Sequence, residues 1–167
     1  MKTISDKITE LGGQLAPPAC ASEIAQLEVK LGYSLPEGLH KFLKLHNGSV
    51  KETDLGIWKF WPCSEITTYS EYRGSHELPL DHNDLRSIAP NLSDIHLSGS
   101  RIILFADAMI DAPTYGLFHS PGHICDGMVF DCSIGYLSAK SFADWIAAFI
   151  EHGKDGLLLP PDNSTLC

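Results

Sequence analysis

Basic residues are scarce in this chain: 12 lysines and arginines stand against 21 aspartates and glutamates, a formal charge of −9 over 167 residues. Phosphate backbones are held by basic stripes, so this composition argues against nucleic acid as a partner. Long apolar runs are missing too. None approaches the eighteen or so residues of a bilayer span, and Met1-Lys2-Thr3-Ile4-Ser5-Asp6-Lys7 lacks the apolar segment of a secretory signal. A soluble, cytoplasmic protein with no membrane partner is expected. The five cysteines, Cys20, Cys63, Cys125, Cys132 and Cys167, are odd in number and irregularly spaced. That favours reduced thiols over a disulfide framework. No Gly-x-Ser-x-Gly elbow, P-loop or Gly-x-Gly-x-x-Gly turn occurs, so no nucleophile or phosphate signature marks an enzyme.

What the chain does have is aromatic density. Gly56-Ile57-Trp58-Lys59-Phe60-Trp61-Pro62 places two of the three tryptophans and a phenylalanine within four positions. Aromatics and Ile favour a pleated surface, so the stretch reads as a central strand bracketed by Gly56 and Pro62. Alternation sends Trp58 and Phe60 to one face and Ile57, Lys59 and Trp61 to the other. Because the second face carries a lysine, only the first has to be core. Length predicts one domain over residues 1–159 with a polar tail at 160–167, large enough to bury about 70% of its unfolded surface.

Before the aromatic stretch, Ile4, Ile8 and Leu11 predict a short helix stopped by Gly12-Gly13, and Pro17-Pro18 forces an extended link. Ser22 suits the N-cap of a second helix with the stripe Ile24, Leu27 and Leu31, closed by Gly32. Leu35-Pro36-Glu37 opens a third helix, whose Leu39, Phe42 and Leu43 face inward until Asn47-Gly48 supplies a left-handed stop.

After it, Cys63-Ser64-Glu65-Ile66 suggests a short hairpin partner. Residues 67–100 read as a long acidic surface excursion with a weak helical patch from Asp84 to Ile88. Arg101-Ile102-Ile103-Leu104-Phe105-Ala106 is a continuous apolar strand. Thr114–Phe118, Gly127–Asp131 and Gly135-Tyr136-Leu137 follow it as strands, with a Ser120-Pro121-Gly122 turn among them. Ser141 then caps a helix in which Phe142, Trp145, Ile146, Phe149 and Ile150 form one apolar stripe up to Gly153. Helices, then strands in close succession, then a covering helix indicate α+β with a mainly antiparallel sheet. Trp145 is expected on that sheet, near Phe105 or Trp58.

The charge is uneven. Between 65 and 94, six acids face only Arg73 and Arg86, and no lysine occurs; between 95 and 136, four aspartates face Arg101 alone. Tyr69 and Tyr72 are interleaved among Glu65, Glu71 and Glu77, and aromatics amid carboxylates suit recognition of a basic protein. The candidate partner-binding set is therefore Glu65, Tyr69, Glu71, Tyr72, Glu77, Asp81, Asp84, Asp107 and Asp111. Against it stands the plainer reading of acidic loops that keep the chain soluble. His119-x3-His123-x-Cys125-Asp126 has ligand-like spacing for zinc, but a fourth ligand and a paired Cys-x-x-Cys are lacking, so satisfied surface histidines are the simpler reading. Cys63, Cys125 and Cys132 sit in strand-like segments as small hydrophobes do. No cofactor, metal or catalytic residue is expected.

One family pattern runs through these pieces. Leu27-Glu28, Leu31-Gly32, Leu35-Pro36, Phe42-Leu43, Asn47-Gly48, the strand from Gly56 to Trp61 and the Ser141-Phe142-x-x-Trp145 helix, as an ordered set over about residues 22–152, resemble the SUKH superfamily. That superfamily includes many bacterial immunity proteins and fungal cell-wall regulatory proteins. Where many relatives carry a glycine- and aspartate-rich turn, this chain has Asp107-Ala108-Met109-Ile110-Asp111-Ala112-Pro113, so surface detail does not carry over. The resemblance implies a non-enzymatic binding module, in bacteria one that neutralises a toxin by direct binding, with a nuclease as one candidate class. A regulatory adaptor that binds another protein is the alternative, and a metal-dependent or thiol enzyme the remoter one.

Overall fold

The computed structural model describes residues 2–51, 58–80, 95–108 and 113–153. Three helices open the chain. In α1 (Ile4–Glu10) Thr3 and Asp6 form a reciprocal capping box. The next helix, α2 (Ala21–Leu31), is capped by Cys20 and not by the expected Ser22: the Glu23 carboxylate reaches back to accept the Cys20 N–H at 2.7 Å. Helix α3 (Glu37–Leu43) ends at Lys44, four residues before Gly48. Asn47-Gly48 is therefore not its stop. Gly48 (φ 78°) instead turns the chain into β2 (Ser49–Lys51), which pairs with β1 (Gln14–Leu15). A Cβ there would lie 2.5 Å from the Pro62 nitrogen and 2.8 Å from the Phe60 oxygen, so only glycine lets this turn dock on the aromatic stretch.

The main sheet contains β3 (Lys59–Phe60), β4 (Thr67–Thr68), β5 (Ile102–Asp107), β6 (Thr114–Phe118), β7 (Val129–Asp131) and β8 (Tyr136–Ala139). All its pairings are antiparallel, in the order β3-β5-β6-β7-β8, and β4 also pairs with β5. β3 lies beside the Asp107 end of β5 and β4 beside its Ile103 end. The aromatic stretch is thus at an edge of the sheet, contrary to the expectation from sequence, with β5 one position in and β6 in the middle. Pro62 explains the difference. It cannot donate to a ladder, and the Trp61 N–H to Phe105 carbonyl bond at 2.8 Å is the last rung before the chain turns away. The predicted hairpin partner at 63–66 is a turn on the Pro62 carbonyl, and pairing resumes only at Thr67.

The closing helix, α5 (Phe142–His152), is capped by the Ser141 hydroxyl, which accepts the Asp144 N–H. It covers one face of the sheet as predicted. Trp145 is fully buried and meets Phe105 edge-on at 5.1 Å, Phe60 edge-on at 5.9 Å and Tyr115 at 5.1 Å. Trp58 packs edge-on against both Trp145 and Phe149. A bulge in β5 between Leu104 and Ala106 supplies one extra residue, Phe105, whose ring is among those facing the helix.

The stretch expected as a surface excursion also sends single anchors into the core where it is described. α4 (Tyr69–Arg73) lies on β4 and β5. Tyr69, Leu78, Ile95 and Leu97 are buried. Gly135, in the turn between β7 and β8, has φ 72° and so little room that a Cβ would sit 1.6 Å from the Pro79 oxygen. Such close backbone approach ties the excursion to the far end of the sheet. The predicted helical patch at 84–88 and the polar tail lie outside the described residues. Among the described residues no helix is long and apolar enough to cross a membrane. The architecture is α+β, with a mainly antiparallel sheet and a C-terminal helix over it.

Trp145→Ala should remove about 3–5 kcal/mol of stability, because it deletes the ring that touches β3, β5 and β6 at once. Urea unfolding checks this. A midpoint within error of the parent would mean that α5 does not hold the sheet.

Candidate partner-binding surface

The outward side of the β3–β5 edge is built from residues that alternation turns away from α5. Lys59 and Asp107 are register partners. Trp61, which follows them, is buried by its neighbours and donates its indole N–H to Asp107 Oδ2 at 2.6 Å. Against Trp61 stands Tyr72 from α4, with ring centroids 5.5 Å apart, and Tyr72 keeps 51% of its surface exposed. The Arg73 guanidinium lies 5.5 Å from the Tyr72 ring centre. Glu65 joins the same edge through an ion pair with Lys59 at 2.5 Å. Trp61, Tyr72, Asp107, Lys59 and Glu65 therefore form one contiguous group.

The other expected residues divide. Glu71 is exposed, but its carboxylate completes the capping box of α4: it accepts the Thr68 N–H at 3.5 Å while the Glu71 N–H bonds Thr68 Oγ1 at 3.3 Å, and the Thr67 hydroxyl donates to it as well. Glu77 is exposed and pairs with His96 Nδ1 at 3.2 Å across the two arms of the excursion. Tyr69, in contrast, is 6% exposed and lies under Gly99, so its ring is a support and not a contact. That corrects the expectation of two surface tyrosines; helical spacing turns Tyr72 outward and Tyr69 inward. Asp81, Asp84 and Asp111 lie outside the described residues. Lys59 was missed as a candidate and so was Trp61 as the buried base under Tyr72, although the alternation that set them on one face was the signal.

The histidine–cysteine cluster is internally satisfied. His119 Nδ1 lies 3.1 Å from Asp126 Oδ1, which also accepts the Ser120 N–H at 2.8 Å. His123 Nδ1 accepts the Cys125 N–H at 3.1 Å. His119 faces the ring of Tyr33, over which Arg101 stacks at 4.8 Å. Among the described residues no three His, Cys, Asp or Glu side chains converge as metal ligands. Burial pushes the Cys63 thiol up to about 11 and raises Cys125 and Cys132 as well, so each favours the protonated form at neutral pH.

Glu71 carries a pH dependence. The Thr67 hydroxyl, and after it the Thr68 N–H and the Lys30 ammonium, hold its carboxyl below the usual carboxylate range. A depressed folded pKa means that this contribution is complete above the unfolded value of about 4.3 and is lost as pH falls through the folded one. The stability difference between the parent and Glu71→Gln should therefore be largest at pH 7 and shrink below about pH 4. Urea midpoints at pH 7, 5 and 3 test it, and a difference independent of pH would contradict it.

Comparison with known proteins adds the family. No curated protein matches the chain. Residues 18–148 match the SMI1 / KNR4 family (SUKH-1), a span that runs from just before α2 into α5. It includes the aromatic edge, the whole main sheet and Trp145. With most of its length matched, this chain belongs to the SMI1 / KNR4 (SUKH-1) family.

Proposed function

We propose that this chain is a non-enzymatic, cytoplasmic binding module of the immunity type, which neutralises a cognate toxin by seating a basic surface of that toxin on the β3–β5 edge and α4. A nuclease domain, basic because it must grip phosphate, is the toxin class that best fits. Members of the family are generally non-enzymatic immunity or regulatory proteins, which supports a binding role. The observation that carries the choice of face is Tyr72: half-exposed, backed by the buried Trp61, and set among Glu65, Glu71 and Asp107.

A rigid aromatic on a packed base gives contact area at low entropic cost, which is what interface hot spots require. Carboxylates around it steer a cationic partner and raise the association rate in a salt-dependent way. Glu77, Asp81, Asp84 and Asp111 extend the same acidic stretch in sequence, with Asp81, Asp84 and Asp111 included in the proposal on that ground alone.

The test uses a toxin domain from the neighbouring reading frame, where one is encoded there. Glu65, Glu77, Asp81 and Asp84 are changed together to amides, while Glu71 is kept because it caps α4. The association rate should fall roughly tenfold or more at low salt and lose most of its salt dependence. Tyr72→Ala should instead raise the dissociation rate, by roughly tenfold or more. Unchanged rates and an unchanged salt slope would place the binding face elsewhere. A neighbouring gene context without any toxin would favour a regulatory adaptor.

A further inference from the structure

Beside the proposed face runs an open groove of about 310 Å³ between α2 and the turn after β3. Glu23, Gln26, Leu27 and Lys30 form its helical wall, and Cys63 and Ser64 the opposite one. Its size is at the lower end of ligand sites, enough for one long side chain. Leu27 and Cys63 are buried and make an apolar floor. The two ends differ in charge. Seven residues of helix, about 10 Å, separate Glu23 from Lys30.

Lys30 is already committed. Its Nζ donates to the Ile66 carbonyl at 2.8 Å, and its charge is felt by the nearby Glu71 carboxylate. Glu23 is held in place but not used up: Oε2 accepts the Cys20 N–H at 2.7 Å and Oε1 accepts the Asn47 amide at 3.1 Å. The Cys20 side chain bonds it as well, and since a carboxylate has about four acceptor positions, one remains. Asn47 in turn accepts the Cys63 N–H at 2.8 Å, which fixes both walls of the groove to one another. A preformed, ionised carboxylate at the end of an apolar trough matches a guanidinium on an aliphatic stem.

We infer that this groove is the socket for an arginine side chain of the partner, its stem on Leu27 and Cys63 and its guanidinium on Glu23. This deepens the proposed function and rests on its reading that the partner is basic.

The groove is tested without the partner, by titrating ¹⁵N-labelled protein with N-acetyl-arginine amide. Saturable shifts at the amides of Leu27, Cys63 and Ser64 are expected, with a Kd on the order of millimolar. The neutral citrulline analogue should shift them at least several-fold less. Glu23→Gln keeps an acceptor for the Cys20 N–H and should abolish the preference for arginine. Ser64→Trp, at an exposed position away from the cap, should fill the groove and abolish the shifts. Equal response to arginine and citrulline, or stronger response to N-acetyl-glutamate amide, would overturn the assignment. A second arm measures the toxin domain against Ser64→Trp, which should weaken binding roughly tenfold or more. If the probe binds but toxin affinity is unchanged in Ser64→Trp and still falls in Tyr72→Ala, the socket is overturned while the proposed face stands. If the probe binds as expected and no basic partner does, the proposed function fails and the arginine site remains.

Discussion

The fold depends on one helical side chain that meets three strands. Trp145 presents its edges and faces to Phe60 of β3, Phe105 of β5, Tyr115 of β6 and its own helical neighbour Phe149. Of the strands it joins, β3 has only two residues, and a ladder of that length has little stability of its own. Ring burial supplies what the backbone does not. It also has to offset a cost, since Trp145 Nε1 and the Tyr115 hydroxyl are buried without a hydrogen-bond partner among the described residues. Each such group costs about 1–3 kcal/mol. Net stability survives because each ring buries 150–250 Å² or so of surface.

The same packing sets the outer face. Trp58 turns inward to α5 and Trp61 turns outward to Asp107 and Tyr72, so adjacent tryptophans fasten the edge strand from both sides. The bulge that provides Phe105 to the core also ends β5 with Asp107 in register with Lys59. On the open side of β3, Gly48 and the Ser49 hydroxyl, which accepts the Phe60 N–H at 3.0 Å, cover a backbone that would otherwise be an unpaired edge. Candidate surface and core are therefore one construction. A change that loosens α5 reaches Tyr72 through β3.

Much of this was legible in the chain because periodicity reports which way a side chain faces. The α5 stripe, the apolar run of β5, the contact of Trp145 with Phe105 and Trp58, and the opposite directions of Trp58 and Trp61 all followed from spacing. The edge position of β3 did not, since alternation says nothing about strand order and the cue, Pro62, was read only as a terminator. Cys20 displaced Ser22 as the cap because Glu23, not the cap residue's own side chain, satisfies the free N–H. The excursion was misread from composition: Tyr69, Leu78 and Leu97 are isolated apolar residues in a polar stretch, and single anchors leave no periodic signal. For the candidate site, charge density singled out Glu65, Tyr72 and Asp107, which the structure gathers along the β3–β5 edge and α4. It could not show that Tyr69 lies underneath or that Glu71 is tied to a helix cap.

The central claim, that the β3–β5 edge and α4 meet the partner while α5 serves the core, is tested most directly by amide hydrogen exchange of the chain alone and bound to the toxin domain proposed as its partner. Added protection should concentrate in residues 61–77 and 104–107, with α5 already slow to exchange in the free protein. New protection confined to β8 and α5, with residues 61–77 unchanged, would contradict it.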